Sequence, residues 1–269
     1  MKIGVVLSYH PHFEQDARWC MSNSIPTCQL GVGQDDLTDA AVADIRRILD
    51  ATGFTITAII GAWTGPAEWN FRSGPSTLGI VPTAFRAMRM KELLSSARFA
   101  ASLGVGCVNT HMGFIPENPS DPLYADFIAS ARWLLDRYAD IGMRLNFETG
   151  QETPVTLLRT MRDLAADNVG INFDPANLMM YGKANPIDAL GIIGKYVRGV
   201  HAKDGEYPTD GDHLGEEKPL GQGSVNIPAL IAKLRAVGYD GALTIEREIS
   251  GEQQKADVLA ANRLLLSLI

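Results

Sequence analysis

Cysteine is scarce in this chain. Only Cys20, Cys28 and Cys107 occur, an odd number with no CxxC spacing, so neither a disulfide framework nor a cysteine-rich zinc site organises the fold. They read as reduced, buried thiols. Basic charge is also in deficit: 24 Lys+Arg against 31 Asp+Glu leave a net charge of -7, which repels a polyanion and argues against nucleic acid as a partner. No apolar run approaches the length of a membrane span, and "IGVVL" ahead of His10 and His12 is too short for a secretory signal. A cytoplasmic protein without membrane contact is expected. Low-complexity linkers and a glycine-rich phosphate loop are missing as well. The 269 residues, 46% of them hydrophobic, therefore read as one domain over 1–269.

What the chain does have is alternation. Short apolar runs recur, each followed by a longer segment with helical spacing, which argues for parallel strands joined by crossover helices. The runs are "KIGVVLS", "TCQLGVG", "TITAIIGAW", "GCVNTHMG", "RLNFE", "GINFD", "VRGVHA" and "ALTIERE". Eight units, with strands apolar enough to be covered on both faces, predict an α/β fold, a single (β/α)8 TIM barrel. Helix starts are marked by Thr153-Pro154, Asn185-Pro186 and Asn226, and Gly238 marks an end. Two Gly- and Pro-rich stretches, "GPAEWNFRSGPSTLGIVP" and "DGEYPTDGDHLGEEKPLGQG", follow strands and read as binding loops.

Four late strands end on residues able to bind a metal: Glu148, Asp174, His201 and Glu246. Taken singly, each reads more often as a helix cap, a turn or a core residue than as a ligand. Their recurrence is the signal, because the C-terminal strand ends of a parallel barrel surround one site. Three carboxylates and an imidazole form a hard donor set suited to Mn²⁺ or Mg²⁺, with Co²⁺ or Zn²⁺ as further candidates. Period-two alternation places Asn146, Asn172 and Thr244 beneath ligands on the same strand face, where they are expected to orient the carboxylates.

With "NFETG", "INFDPANL", "VHAKDG", "PLGQG" and "LTIERE", the whole chain resembles the xylose isomerase-like barrels, in their sugar phosphate isomerase/epimerase group. The resemblance implies a divalent metal, Mn²⁺ first, held by Glu148, Asp174, His201 and Glu246. It also implies that Glu148 and Glu246 are the acid-base pair of a sugar isomerase or epimerase working through an enediolate. A small sugar or sugar-derivative substrate and a homo-oligomer, dimer or tetramer, are implied with it. An apurinic endonuclease-like hydrolase and a non-catalytic sugar-binding barrel are the alternatives.

The chain departs from relatives at Asn177, where many have histidine, and at Gln151-Glu152, where ketose 3-epimerases carry Asn-Arg. Asn177 and Glu152 are therefore candidate substrate contacts that set specificity. Lys218 falls where those epimerases place a substrate-binding arginine, and it reads equally as a surface lysine. His111, in the inward phase of Asn109, is a candidate substrate contact, and His10 a weaker one. Lys203 and Asp204 either brace the metal, touch substrate, or pair to close a loop. Trp63, at the end of an earlier strand, is a further candidate substrate contact, and Trp63, Trp69 and Phe71 are candidates to wall off water or to bury an oligomer interface.

Overall fold

Runs such as "KIGVVLS" and "TITAIIG" carry too much apolar surface for one wet face, and the chain covers both sides of them. The computed structural model describes residues 1–269. Its strands are β1 (Lys2–Ser8), β2 (Thr27–Val32), β3 (Thr55–Gly61), β4 (Cys107–Thr110), β5 (Arg144–Glu148), β6 (Val169–Phe173), β7 (Val197–Ala202), β8 (Asp204–Gly205), β9 (Glu217–Lys218) and β10 (Ala242–Ile245). All except β8 and β9 close into a parallel barrel in the order β1-β10-β7-β6-β5-β4-β3-β2, while β8 and β9 form a small antiparallel ribbon. The expected (β/α)8 barrel is thus the observed one.

The helices start where the sequence marks them. Thr153 accepts from the Thr156 N–H at the start of Pro154–Leu164, which buries Leu157, Met161 and Leu164. Asn185 caps Pro186–Ile193, and Asn226 caps Ile227–Ala236, whose buried residues are Ile227, Leu230, Ile231 and Leu234. The final helix, Glu252–Leu266, buries Val258 and Leu265. Phe147 and Phe173 are buried. Phe147 meets Phe127 of the helix Pro122–Ala139 edge to face, with ring centroids 6.4 Å apart.

The apolar core lies in this outer layer between strands and helices. Inside the barrel, buried amides and hydroxyls take over: Gln29, Asn109, Asn146, Asn172 and Thr244. Two glycines make room for them. A Cβ at Gly199 would lie 2.3 Å from Asn172 Oδ1, and one at Gly170 would lie 2.4 Å from Asn146 Oδ1. The β2–β3 pairing shifts register at Gln29 and the β6–β7 pairing at Asn172. Such bulges re-aim side chains, and both residues point amides at His201.

Candidate metal centre and active site

Glu148 ends β5, Asp174 and Glu246 directly follow β6 and β10, and His201 is the penultimate residue of β7. One donor atom from each of the four lies within 4.8 Å of all the others. His201 Nδ1 sits 3.1 Å from Glu246 Oε2, 3.2 Å from Glu148 Oε1 and 3.6 Å from Asp174 Oδ2. Asp174 and His201 are fully buried and Glu148 nearly so.

Two atoms of this ring make no well-directed hydrogen bond, Asp174 Oδ2 and His201 Nδ1, although carboxylate oxygens crowd the imidazole nitrogen. Buried polar atoms are rarely left alone. Asp174 serves as a helix cap as well, because its Oδ1 accepts from the Asn177 N–H at 2.8 Å. One oxygen is thus spent on the fold and the other is free. The donor set therefore fits a divalent cation: hard oxygens, one imidazole and an excess of negative charge in a dry place. Burial opposes ionisation throughout. Even so, Glu246 and Glu148 raise the His201 imidazole well above its usual range, and the histidines His201 and His111 hold Glu148 well below the usual carboxylate range. Asp174 goes the other way, raised by its burial.

The imidazole is held from behind by Gln29. His201 Nε2 lies 2.8 Å from Gln29 Oε1, which also accepts from Asn109 Nδ2 at 2.9 Å. Gln29 Nε2 donates to Asn172 Oδ1 at 3.0 Å, and Asn146 Nδ2 donates to Asn109 Oδ1 at 2.9 Å. With Nε2 facing the glutamine oxygen, Nδ1 is left to face the carboxylates. This corrects the alternation argument. Asn172 reaches Glu148 Oε2 at 3.5 Å, but Asn146 bonds sideways to Asn109, and the Thr244 hydroxyl has no partner. Gln29 was invisible as a site residue. Its one signal is a buried amide in the otherwise apolar run "TCQLGVG".

Lys203 completes the ring. Its buried ammonium lies 2.9 Å from both Glu246 Oε2 and Glu248 Oε1, 3.3 Å from Asn177 Oδ1 and 3.6 Å from Asp174 Oδ2. Burial works against its charge, but Glu246, Asp174 and Glu248 outweigh it and raise it well above the ordinary lysine value. Asn177 also approaches Glu148 Oε1 at 3.5 Å through Nδ2. His111 stands with Nε2 3.2 Å from Glu148 Oε1 and Nδ1 3.2 Å from Gln151 Oε1.

A cavity of about 400 Å³ opens above these groups, with Glu148, His111, Asn177, Glu246 and Glu248 on its polar side and Trp69, Met180 and Tyr181 among its apolar residues. The other candidates lie outside that lining. Glu152 is buried near His111, Lys183 and Glu117, and burial raises its carboxyl to about 8. Asp204 is spent on the loop after β9: its two oxygens accept from the backbone N–H groups of Gly205, Gly221, Gly223 and Val225. That leaves it no free oxygen for substrate. Lys218 pairs with Glu216 at 2.6 Å on the β8–β9 ribbon. His10 is bound to Asp16 at 2.8 Å and lines a separate cavity that reaches Glu246 and Glu248 from the side of β1. Trp63 lies under the guanidinium of Arg89, 5.3 Å from its ring centroid.

Barrel, strand-end cage and overlying cavity define a class, and the family model for xylose isomerase-like TIM barrels matches residues 25–267. The chain belongs to that family. A xylose isomerase domain protein from Planctomyces limnophilus is 35% identical, with 99% of this chain and 96% of that one covered and a TM-score of 0.93. A D-tagatose 3-epimerase-like protein shares the fold at 22% identity, with 100% and 97% covered and a TM-score of 0.76. An uncharacterised protein of Methanocaldococcus jannaschii is 28% identical over 61% of this chain and 58% of its own length. The chain thus spans under two thirds of that relative. No helix is long and apolar enough to cross a membrane.

Proposed function

We propose that the protein is a divalent-metal-dependent sugar isomerase or epimerase. The observation that carries this reading is the ring of Glu148, Asp174, His201 and Glu246, with two unpartnered donor atoms, beneath a cavity that two of its glutamates also line. Sugar epimerases are among the structures the chain resembles. Mn²⁺ is the ion best matched to the donors, and an ion held there would act as a Lewis acid on a substrate carbonyl oxygen.

The protein's own groups then handle one proton. A glutamate, Glu148 or Glu246, takes the proton from the carbon beside the carbonyl, and the electron pair moves into an enediolate. Return of a proton to the opposite face of that carbon from the other glutamate inverts it; return to the neighbouring carbon isomerises it. No water is consumed and no redox partner is needed. His111 and Asn177 adjust the carboxylate of Glu148, while Lys203 fixes Glu246. Glutamate is a weak base when free, so position in a dry cavity supplies much of the effect.

The test is solvent deuterium exchange into ketoses and inositol ketones with Mn²⁺ present. Exchange is expected with at least one of them, to be lost with chelator and in Glu148→Gln and Glu246→Gln at saturating Mn²⁺. Near-normal exchange in both variants removes the two-base mechanism. Cleavage of abasic DNA without any exchange would make the protein a hydrolase instead.

A further inference from the structure

The cavity over the carboxylates has a side lobe of about 230 Å³. The two compartments share Ile60, Trp69, His111 and Glu148, so they adjoin at this neck of four side chains. Beyond that neck the lobe is formed by Ala62, Trp63, Ala67 and Thr110, with Gly61. Among the residues that line the lobe alone, the one hydroxyl, that of Thr110, donates to Gly61 O at 2.8 Å. Trp69 stands half exposed at this neck, its ring 4.9 Å from His111 and edge-on to it.

Three features of this space select a ligand. The first is charge. Glu148, Glu246 and Glu248 line the main compartment; no arginine lines either compartment, and Lys203 is held by Glu246 and Glu248. A phosphate placed away from an ion held in the cage would meet these carboxylates, and no lysine or arginine lines either compartment to offset them. The second is chemistry. A second sugar ring in the lobe would set several hydroxyls against Ile60, Ala62 and Ala67, which offer them no side-chain partner, whereas a flat apolar group would cover Trp69 and Trp63. An apolar cavity of about 150 Å³ suffices for benzene.

The third is preorganisation. Arg89 is fully buried, and its guanidinium donates to the carbonyls of Thr64, Pro66, Thr77 and Gly79 while lying over Trp63 and Phe85. Trp63 borders this pinned segment and Trp69 lies within it, so the lobe is built before any ligand arrives.

Resting on the isomerase/epimerase reading, we propose that the substrate is an unphosphorylated keto sugar or keto cyclitol bearing a flat apolar group, such as the ring ketone of an aryl glycoside. The reacting ring lies over the carboxylate cage, and the apolar group lies in the lobe against Trp69.

Matched sets of hexopyranoses, their phenyl glycosides and their 6-phosphates, titrated into the Mn²⁺-loaded protein by calorimetry, test this directly. The phenyl glycoside is expected to bind about ten-fold tighter than its parent sugar, and the phosphate more weakly than the parent. In Trp69→Ala, a change at a half-exposed position, the glycoside-to-parent affinity ratio falls from about ten towards one. A phosphate that binds tightest, a ratio near one in the wild type, a ratio unmoved in Trp69→Ala, or no binding in any set overturns the proposal. Deuterium exchange into the corresponding ring ketones separates the two readings. Preference for the glycoside without any exchange sinks the isomerase function and leaves a binding site for apolar-substituted sugars. Exchange without that preference sinks the substrate class alone.

Discussion

Asp174 and His201 each aim one buried, unpartnered atom at the same point: Asp174 Oδ2 lies 3.6 Å from His201 Nδ1. The other oxygen of Asp174 caps the helix Pro175–Met180. Fold and site therefore share a residue and can be separated by one substitution. Asparagine caps as well as aspartate, so Asp174→Asn should stay folded while losing the free anionic donor. At Mn²⁺ about 100-fold above its dissociation constant, ligand linkage stabilises the wild type by about 2.7 kcal/mol, or roughly 5–10 °C in melting temperature. Melting scans with Mn²⁺ and with chelator should show that shift in the wild type and little of it in Asp174→Asn or His201→Ala. An equal shift in all three proteins would place the ion elsewhere.

Gln29 should matter more for metal than Thr244 does. Its Oε1 fixes His201 Nε2 at 2.8 Å, and removing a partner that orients a ligand imidazole commonly costs ten- to hundred-fold in metal affinity. Gln29→Leu is expected to weaken Mn²⁺ binding by about that factor in a titration against a metal indicator. Thr244→Val, which removes an unpartnered hydroxyl, should change it by less than about two-fold. A reversed order would mean that the imidazole is held by the carboxylates alone.

Barrel and cage were legible because they rest on short-range rules. Alternating apolar runs and Thr-Pro, Asn-Pro and Asn caps mark the elements, and four donors at successive strand ends mark the ring. The interior was not legible in the same way. Period two does put Asn146 below Glu148, but which neighbour its amide meets depends on the next strand, and Asn109 is nearer than any carboxylate. Gln29 depends on a bulge that no local pattern announces. The pinning of Trp63 by Arg89 joins positions 26 residues apart through a buried guanidinium and four backbone carbonyls, and carbonyl acceptors leave no mark in a sequence.

Asp204 offers a control for the site. Four backbone N–H groups fill its two oxygens, whereas an amide side chain supplies a single oxygen. Asp204→Asn should therefore leave two donors facing an NH₂ group and cost about 3 kcal/mol in urea unfolding, with Mn²⁺ affinity within about two-fold of the wild type. Loss of metal binding with unchanged stability would instead make Asp204 part of the cage.

Arg89 is a buried cation whose hydrogen bonds all go to backbone carbonyl oxygens. Arg89→Met keeps the apolar stem but abandons those acceptors, so about 3 kcal/mol of stability should be lost. The loss should be concentrated between residues 64 and 79, and limited proteolysis is expected to cut there first while the barrel still unfolds cooperatively. Cleavage spread over the whole chain would show that the loop and barrel are one unit.

Glu152 makes stability depend on pH in a direction opposite to most carboxylates. Burial raises it from 4.5 to about 8, against the attraction of His111 and Lys183 and with help from Glu117. The native protein thus keeps a proton that the unfolded chain gives up, and stability falls as pH rises between those values. The favourable contribution is complete below about 4.5 and gone above about 8, with a slope of about 1.4 kcal/mol per pH unit between. Glu152→Gln imitates the protonated form and has no proton to lose. Urea titrations from pH 5 to 8.5 should show the wild type losing on the order of 3–5 kcal/mol relative to Glu152→Gln. Parallel curves for the two proteins would mean that Glu152 is ionised in the fold and that a cation or water reaches it.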